Sequence, residues 1–523
     1  MMRNDDLGAI ILKNFPHNPT FEQKEVAMNW GSFLLSRNSD TAFLLKGYAG
    51  TGKTSLVSAL VRTMQELKQN VVLMAPTGRA AKVLSSYAGM PAYTIHRRIY
   101  RQKSMDTDCF QLNVNLHKHT LFIVDEASMI ANEGLTGDTF GSGRLLDDLI
   151  HYIYGGDGCR LLLVGDTAQL PPVGEEMSPA MMKEALEGYG LTVCEAELTE
   201  VVRQVEESGI LWNATHLRQL IQNEDIYAFP QLRVADFPDI QVVPGNELIE
   251  ALEQCYYEAG IDETIVVTRS NKRANIFNMG IRARILDYEE ELCSSDRIII
   301  AKNNYFWIKP QPPQPPRGSK MGEGLQLPTS QAFDNGQNAA DKTEGAASKQ
   351  ASYSPSGAGG AVAGSDSFIA NGDMATIRRL RNHRELYGFH FADASITLLD
   401  HDDQEVDVTL LLDALQSEAP ALTRQQQDAL FTAVWEDYPE LTNKRDRMKR
   451  LKEDPYFNAL QVKYAYAVTC HKAQGGQWQR VFIDQGYVTE DMLSPDYFRW
   501  LYTAITRAID KVYLINWPKE QTK

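Results

Sequence analysis

At 523 residues, and at ~100–200 residues per domain, the chain has length for about three to four domains. Its 52 lysines and arginines stand against 68 aspartates and glutamates, a formal charge of −16 that excludes a histone-like polycation while leaving room for local basic grooves. With 43% hydrophobic and 23% charged residues, the composition is that of a soluble globular protein with apolar mass for more than one core. No apolar run approaches the ~20 residues a bilayer span needs. Met1–Ile11 carries acidic residues where a signal peptide carries basic ones, so the expected location is cytoplasmic, without membrane partners. Cys109, Cys159, Cys194, Cys255, Cys293 and Cys470 are scattered, with neither a Cys-x-x-Cys nor zinc spacing, and read as reduced, inert thiols.

Short apolar runs bounded by turn residues read as strands buried on both faces, the habit of parallel sheets flanked by helices. In chain order they are Thr41–Lys46, Val71–Ala75, Leu121–Val124 and Leu161–Val164, then Thr264–Thr268, Tyr464–Thr469, Val481–Asp484 and Val512–Asn516. Leu56, Val57, Leu60, Val61, Met64 and Leu67 fall on one helical stripe after the first run, so strand, glycine-rich loop and helix follow in order. Two α/β cores are expected. Pro310–Ser367 opens Pro-Gln-Pro-Pro-Gln-Pro-Pro, ends in a Gly/Ala/Ser tract and reads as a disordered insertion, with an extended proline-rich docking motif as the sharper alternative. Arg424–Leu451 reads as one or two exposed amphipathic helices.

Gly47-Tyr48-Ala49-Gly50-Thr51-Gly52-Lys53-Thr54 fits the phosphate-loop pattern G-x-x-x-x-G-K-[ST] in its required strand-to-helix context. Glycines let successive N–H groups face phosphates, and the helix N-terminus adds its positive end. Lys53 is expected on the β- and γ-phosphates of ATP and Thr54 on Mg²⁺, with Ser55 beside it. Asp125 and Glu126 end the third apolar run, at the strand edge where parallel-sheet enzymes hold ligands. Asp125 would hold magnesium and Glu126 would take a proton from the attacking water, although such a pair can also be a solvated helix cap. Gln169, after the fourth run, could sense the γ-phosphate or be loop surface. Phosphoryl transfer also wants fixed positive charge, and Arg203 and Arg507 are available; spacing alone reads either as a surface ion-pair residue.

Taken in order from Phe21 to Asn516, these strings resemble the motifs of superfamily 1 DNA helicases, and within them the RecD-like, Dda-like 5′→3′ branch. The further matches are Gln23, Ala75-Pro76-Thr77-Gly78-Arg79-Ala80-Ala81, Thr94-Ile95-His96-Arg97, Val202-Arg203-Gln204, the stretch Tyr466 to Gly475, and Leu501 to Ala508. The resemblance implies an α/β fold with two RecA-like P-loop NTPase domains and parallel sheets. The first would span 1–200, with a small pin insertion at 99–120; the second would span 201–290 and 456–523. An SH3-like β accessory domain at 291–455, with a helical extension, would contain the 310–367 insertion. It is carried by Asp296 to Tyr305 and by the Asn371-Gly372-Asp373 turn. Within the pin stretch, Phe110 reads as an aromatic wedge or a hydrophobic plug.

In the roles the resemblance implies, Gln23 contacts adenine, and Gly47, Gly50, Thr51, Gly52, Lys53, Thr54, Ser55 and Gly475 bind nucleotide. Lys53, Glu126, Gln169, Arg203 and Arg507 are catalytic, the two arginines as fingers from the second domain. Thr54 and Asp125 hold the metal, and Pro76, Thr77, His96, Thr469 and His471 touch the DNA strand. The implied activity is that of a DNA-dependent ATPase and helicase in DNA repair, recombination or replication, on single-stranded and duplex DNA, with single-strand-binding or recombination proteins as partners. Readings left open are a translocase or remodeller on RNA or protein–DNA complexes, and a RecD-like subunit of a recombination complex. No separate nuclease constellation is present in the sequence.

Overall fold

The computed structural model describes residues 4–104, 107–132, 141–201, 207–308, 368–401 and 403–523. The 310–367 insertion and Arg203 therefore lie outside the described residues. No described helix is long and apolar enough to cross a membrane.

The chain opens with helices α1 (Asn4–Lys13) and α2 (Phe21–Leu35), then β1 (Thr41–Gly47), α3 (Lys53–Glu66), β2 (Asn70–Ala75) and α4 (Gly78–Ala88). It continues through β3 (Ala92–Thr94), α5 (Ile95–Ile99), the antiparallel hairpin β4 (Tyr100–Ser104) and β5 (Thr107–Leu112), then β6 (Thr120–Val124). Helix α6 (Leu145–Tyr154), β7 (Arg160–Gly165), α7 (Lys183–Glu187) and β8 (Thr192–Leu198) complete this half. The sheet is parallel, in the order β3-β2-β6-β7-β1-β8. Its central strands are continuous apolar runs through their middle, with polar residues such as Lys46 and Arg160 only toward their ends, because both faces are covered. Phe43, Leu45, Ile123, Leu162 and Val164 pack with the α3 stripe, whereas Leu44, Phe122, Val124, Leu161 and Leu163 pack with Leu146, Leu149 and Ile153 of α6.

The second half begins α8 (Gly209–Gln222), β9 (Ile240–Val243), α9 (Leu248–Glu258), β10 (Thr264–Thr268), α10 (Asn271–Arg284) and β11 (Arg297–Ile300). Next come β12 (Met374–Leu386), β13 (Phe389–Leu398), β14 (Gln404–Leu411), α11 (Arg424–Glu436) and α12 (Lys444–Lys452). The chain ends with β15 (Leu460–Tyr464), β16 (Ala467–Thr469), α13 (Cys470–Ala473), β17 (Trp478–Asp484), α14 (Pro495–Ile505) and β18 (Ala508–Ile515). Strands β16-β10-β17-β18-β9 form a second parallel sheet, and β11 to β15 close into a small barrel. Two parallel, helix-flanked sheets and a small closed β-barrel thus make up the described fold.

One expected strand is two. Tyr464–Thr469 splits into the end of β15, paired antiparallel with β11 in the barrel, and β16, paired parallel with β10. Buried Asn278 makes the break: its Oδ1 accepts from the N–H groups of Tyr466 (3.1 Å) and Ala467 (2.7 Å), and its Nδ2 donates to Ala467 O (2.9 Å). An amide side chain thus does the work of a ladder partner while the chain changes sheets. Close by, Arg282 binds Asp296 through two bonds of 2.9 Å inside the protein, and Tyr466 donates to the same carboxylate at 2.8 Å, fixing the barrel's entry strand to α10. The Asn371-Gly372-Asp373 turn leads into β12, with Asp373 accepting from Ala370 N–H (2.7 Å) and pairing with His401 (2.7 Å). Helices α11 and α12 occupy the stretch expected to be helical, and bury Leu430, Val434 and Leu451 against Phe389 and Phe391 of the barrel.

Candidate functional site

Strands β6, β7 and β1 are neighbours, so the segments leaving their C-terminal ends share one edge of the first sheet. From β1 runs the glycine-rich loop. Gly52 sits at φ +84°, the left-handed region a side chain resists, and caps α3 without a side chain between helix and ligand. Lys53 folds back along the loop, donating to Gly47 O (2.7 Å) and Tyr48 O (3.0 Å), with its ammonium 3.9 Å from Asp166. Thr54 and Ser55 follow in the first turn of α3, half-buried.

From β6 come Asp125 and Glu126. Asp125 donates its N–H to Met74 O (3.0 Å), and its carboxylate accepts from the Glu126 N–H (2.9 Å). Glu126 takes φ +52°, a conformation uncommon for glutamate, which turns the chain sharply at the strand end. Burial, aided by the neighbouring Glu126 charge, pushes the Asp125 carboxyl up to about 6, with Lys53 opposing the shift. From β7 comes Asp166, 1% exposed, held by Ala168 N–H at 3.0 Å. Gln169 is 7% exposed, and its Oε1 has no hydrogen-bond partner among the described residues. Asp166 belongs to the string Gly165-Asp166-Thr167-Ala168-Gln169-Leu170-Pro171-Pro172-Val173-Gly174, which also resembles a helicase motif, yet the sequence assigned it no role.

Gln23 is placed differently from expectation. It is fully buried, with Oε1 accepting from Thr20 N–H (3.0 Å) and Nε2 donating to Thr51 O (2.9 Å). Its amide closes the α2 capping box and braces the loop from beneath.

The second core reaches this edge through side chains that the sequence did not single out. Tyr502 of α14 accepts from the Ala49 N–H of the loop (2.9 Å) and donates to Asp166 Oδ2 (2.7 Å). Thr503 Oγ1 accepts from Leu170 N–H (2.9 Å), and Gln474 Nε2 donates to Leu170 O (2.7 Å). Leu211 of α8 lies against Gly50 so closely that an added Cβ would stand 2.8 Å from it. Arg218 stacks 4.5 Å from the Tyr48 ring centre and donates to Thr199 O (3.1 Å). Conversely, Arg507 does not face the loop in this arrangement. It is 4% exposed, with its guanidinium donating to Thr503 O (3.0 Å), Gly476 O (3.3 Å) and Thr506 Oγ1 (3.3 Å), all within the second core. A buried fork with three local acceptors anchors Arg507 within the second core in this arrangement.

The expected strand-contact residues sit where β2, β3 and β16 end. Pro76 and Thr77 follow β2, with Thr77 capping α4 by accepting from Ala80 N–H (3.2 Å). Thr469 and exposed His471 lie at the β16–α13 junction. His96 opens α5, its ring 5.7 Å from that of Tyr100, and burial pushes its pKa down to about 4. Gly475 belongs with this group: an added Cβ would meet Ala80 Cβ at 2.8 Å and Thr77 Oγ1 at 3.1 Å, so it packs on α4 instead of on the phosphate loop. Arg79, in the Ala75–Ala81 string but given no role from it, bridges the same seam, stacking 4.0 Å from the Trp478 ring centre and donating to Gln477 O (3.2 Å). Phe110 on β5 is 6% exposed, its ring 4.4 Å from that of Tyr305, so the structure realises the plug and not the wedge.

A family model described as an AAA domain matches residues 33–226, and one described as a UvrD-like helicase C-terminal domain matches 464–515. The chain is 32% identical over 169 residues to the ATP-dependent RecD2 DNA helicase of Deinococcus radiodurans, covering 32% of this chain and 20% of that protein. It is 24% identical over 270 residues to the ATP-dependent DNA helicase dda of Enterobacteria phage T4, covering 49% of this chain and 55% of that protein. The matches thus span from a fifth to just over half of these relatives' lengths. Among solved structures, the Pif1 helicase from Bacteroides in complex with ADP-AlF3 and ssDNA aligns over 96% of this chain and 93% of that one, at 14% identity and a TM-score of 0.42.

Proposed function

We propose that this chain, a superfamily 1 helicase of the RecD-like and Dda-like type, is an ATP-driven motor that moves 5′→3′ along single-stranded DNA and separates duplex ahead of it. The observation that carries the reading is the pair of hydrogen bonds, Ala49 to Tyr502 and Leu170 to Thr503, that join the loop of one core and its neighbouring strand end to a helix of the other. A nucleotide whose terminal phosphate lies at that seam touches both cores, so its cleavage changes what holds them together.

On this reading Lys53 leaves the loop carbonyls for the β- and γ-phosphates, and Arg203 adds positive charge from the segment between the cores. A hydroxyl and a carboxylate, Thr54 and Asp125, are the hard oxygen donors that suit Mg²⁺, which neutralises phosphate charge when bound. Glu126 accepts the proton of the attacking water, and the unpartnered Oε1 of Gln169 is an acceptor available for orienting it. Pro76, Thr77, His96, Thr469 and His471 hold the strand at the ends of both sheets. Alternation of grip between the sheets then gives net movement. The direction, the duplex unwinding and a place in DNA repair, recombination or replication rest on the likeness to the RecD2 and phage enzymes.

The test is ATPase rate with and without single-stranded DNA, for the parent and Glu126→Gln, together with strand displacement from 5′-tailed and 3′-tailed duplexes. The expected result is stimulation by DNA, a loss of about 10²–10⁴-fold in Glu126→Gln, the range for a positioned general base, and displacement from the 5′-tailed substrate. An ATPase indifferent to DNA overturns the motor; displacement from the 3′-tailed substrate alone overturns the direction.

A further inference from the structure

Tyr502 is a fully buried phenol at the point where the two cores meet. Its hydroxyl accepts one hydrogen bond from the loop's backbone at Ala49 and donates one to Asp166 Oδ2. Burial and the Asp166 charge drive its pKa well above the usual phenol range, so it stays neutral and can do both at once. Asp166 has two oxygens with one donor each, Ala168 N–H on Oδ1 and the phenol on Oδ2. The cation nearest the second oxygen is Lys53, 3.9 Å away.

We propose that Tyr502 is a positioning residue that couples occupancy of the phosphate loop to movement of the second core. It satisfies Asp166 and so keeps that carboxylate from capturing Lys53, while the same oxygen ties α14 to the loop backbone. The inference rests on the motor reading above and deepens it by naming the side chain through which the seam is sprung. Removing the oxygen leaves a buried carboxylate oxygen without a donor, and Lys53 is the group that can move to it. Lys53 is then drawn away from the phosphate, and the loop loses its tie to α14. The ring belongs to a buried apolar cluster that includes Leu170 and Leu217, and this burial survives replacement by phenylalanine.

The experiment compares the full chain, Tyr502→Phe and Tyr497→Phe. The control removes a second buried phenol oxygen from the same helix, one that donates to Gln485 Oε1 at 2.9 Å. Three quantities are read: the KM for ATP beside kcat, the ratio of ATPase with and without single-stranded DNA, and nucleotide-free amide hydrogen exchange of the 47–54 segment. In Tyr502→Phe the expected KM is higher by about tenfold, the scale of one buried hydrogen bond, with a smaller change in kcat. The DNA stimulation ratio falls, and exchange of the segment speeds up; Tyr497→Phe changes none of the three. Should Tyr502→Phe behave as Tyr497→Phe in all three, the coupling role is overturned. A parent ATPase that ignores DNA overturns the motor instead, and the exchange comparison then decides by itself whether the phenol holds the loop.

Discussion

The two parallel cores meet the seam with different parts of the chain. The first presents backbone: the N–H groups and carbonyls of residues 47–54, and strand-end carboxylates that follow their strands directly. The second presents side chains from helices, Tyr502 and Thr503 from α14 and Leu211 and Arg218 from α8. A backbone cradle requires a local run of glycines and one lysine, so it is compact in sequence and tolerates little variation. A side-chain wall is assembled from residues nearly 300 apart, and its members look like ordinary core residues until the chain is folded. The first kind of surface fixes the ligand, and the second is free to report on it.

Breaking the cradle should have the largest effect. Lys53→Ala removes the ammonium that would meet the phosphates while leaving α3 capped by Gly52, and we expect ATP turnover to fall by more than about 100-fold with the melting temperature little changed. A variant that keeps ATPase activity would place the phosphates elsewhere than the loop.

Breaking the wall should be felt first as lost stability. Arg507→Lys keeps the charge but loses the planar fork that reaches Thr503 O, Gly476 O and Thr506 Oγ1. The expected cost is about 2–3 kcal/mol of folding free energy, measured by denaturant unfolding, because buried carbonyls lose their donors. A variant as stable as the parent, yet failing in hydrolysis, would restore Arg507 as a phosphate-facing finger in a different closure of the cores.

The same contrast explains what could be read before the fold was known. The central strands of both sheets are built on continuous apolar runs and announce themselves. Within the two parallel sheets, the strands that escaped, Ala92–Thr94, Thr192–Leu198 and Ile240–Val243, are all edges, where length shrinks or polar residues alternate because one side is not covered by another strand. Tyr464–Thr469 looked like one strand because hydropathy records burial and not partner, and both halves are buried. At the site, the strand–loop–helix order of residues 41–66 and the strand-end placement of Asp125 and Glu126 could be read because each pattern is local in the chain. The packing of Gln23 on Thr20 and Thr51, and of Gly475 on α4, had no such local pattern. Tyr502 lies in the matched Leu501–Ala508 string, but nothing local reveals its role, since its partners are 453 and 336 residues away.

The gentlest probe is pH, because the two binding surfaces should answer it differently. Asp125 is pushed up to about 6 by burial and by Glu126, so in the free protein its carboxyl takes a proton as pH falls through that value. A neutral carboxyl is a poor ligand for a divalent cation, and affinity for ATP with Mg²⁺ should be flat above pH 7 and fall below pH 6, approaching about tenfold per unit where one proton is taken up. His96 is pushed the other way, down to about 4, and stays neutral over that range. Stability follows the same signs. The raised Asp125 pKa opposes folding increasingly as pH climbs from its unfolded value toward 6, whereas the lowered His96 pKa opposes it as pH drops below the ordinary histidine value of about 6.5. If His96 meets the strand as an uncharged ring, affinity for single-stranded DNA without nucleotide should not rise as pH is lowered from 7.5 to 6, measured by fluorescence anisotropy at fixed salt. A rise over that interval, absent in His96→Gln, would mean that the ring is charged against phosphate and exposed in solution, and that the strand surface titrates alongside the nucleotide edge.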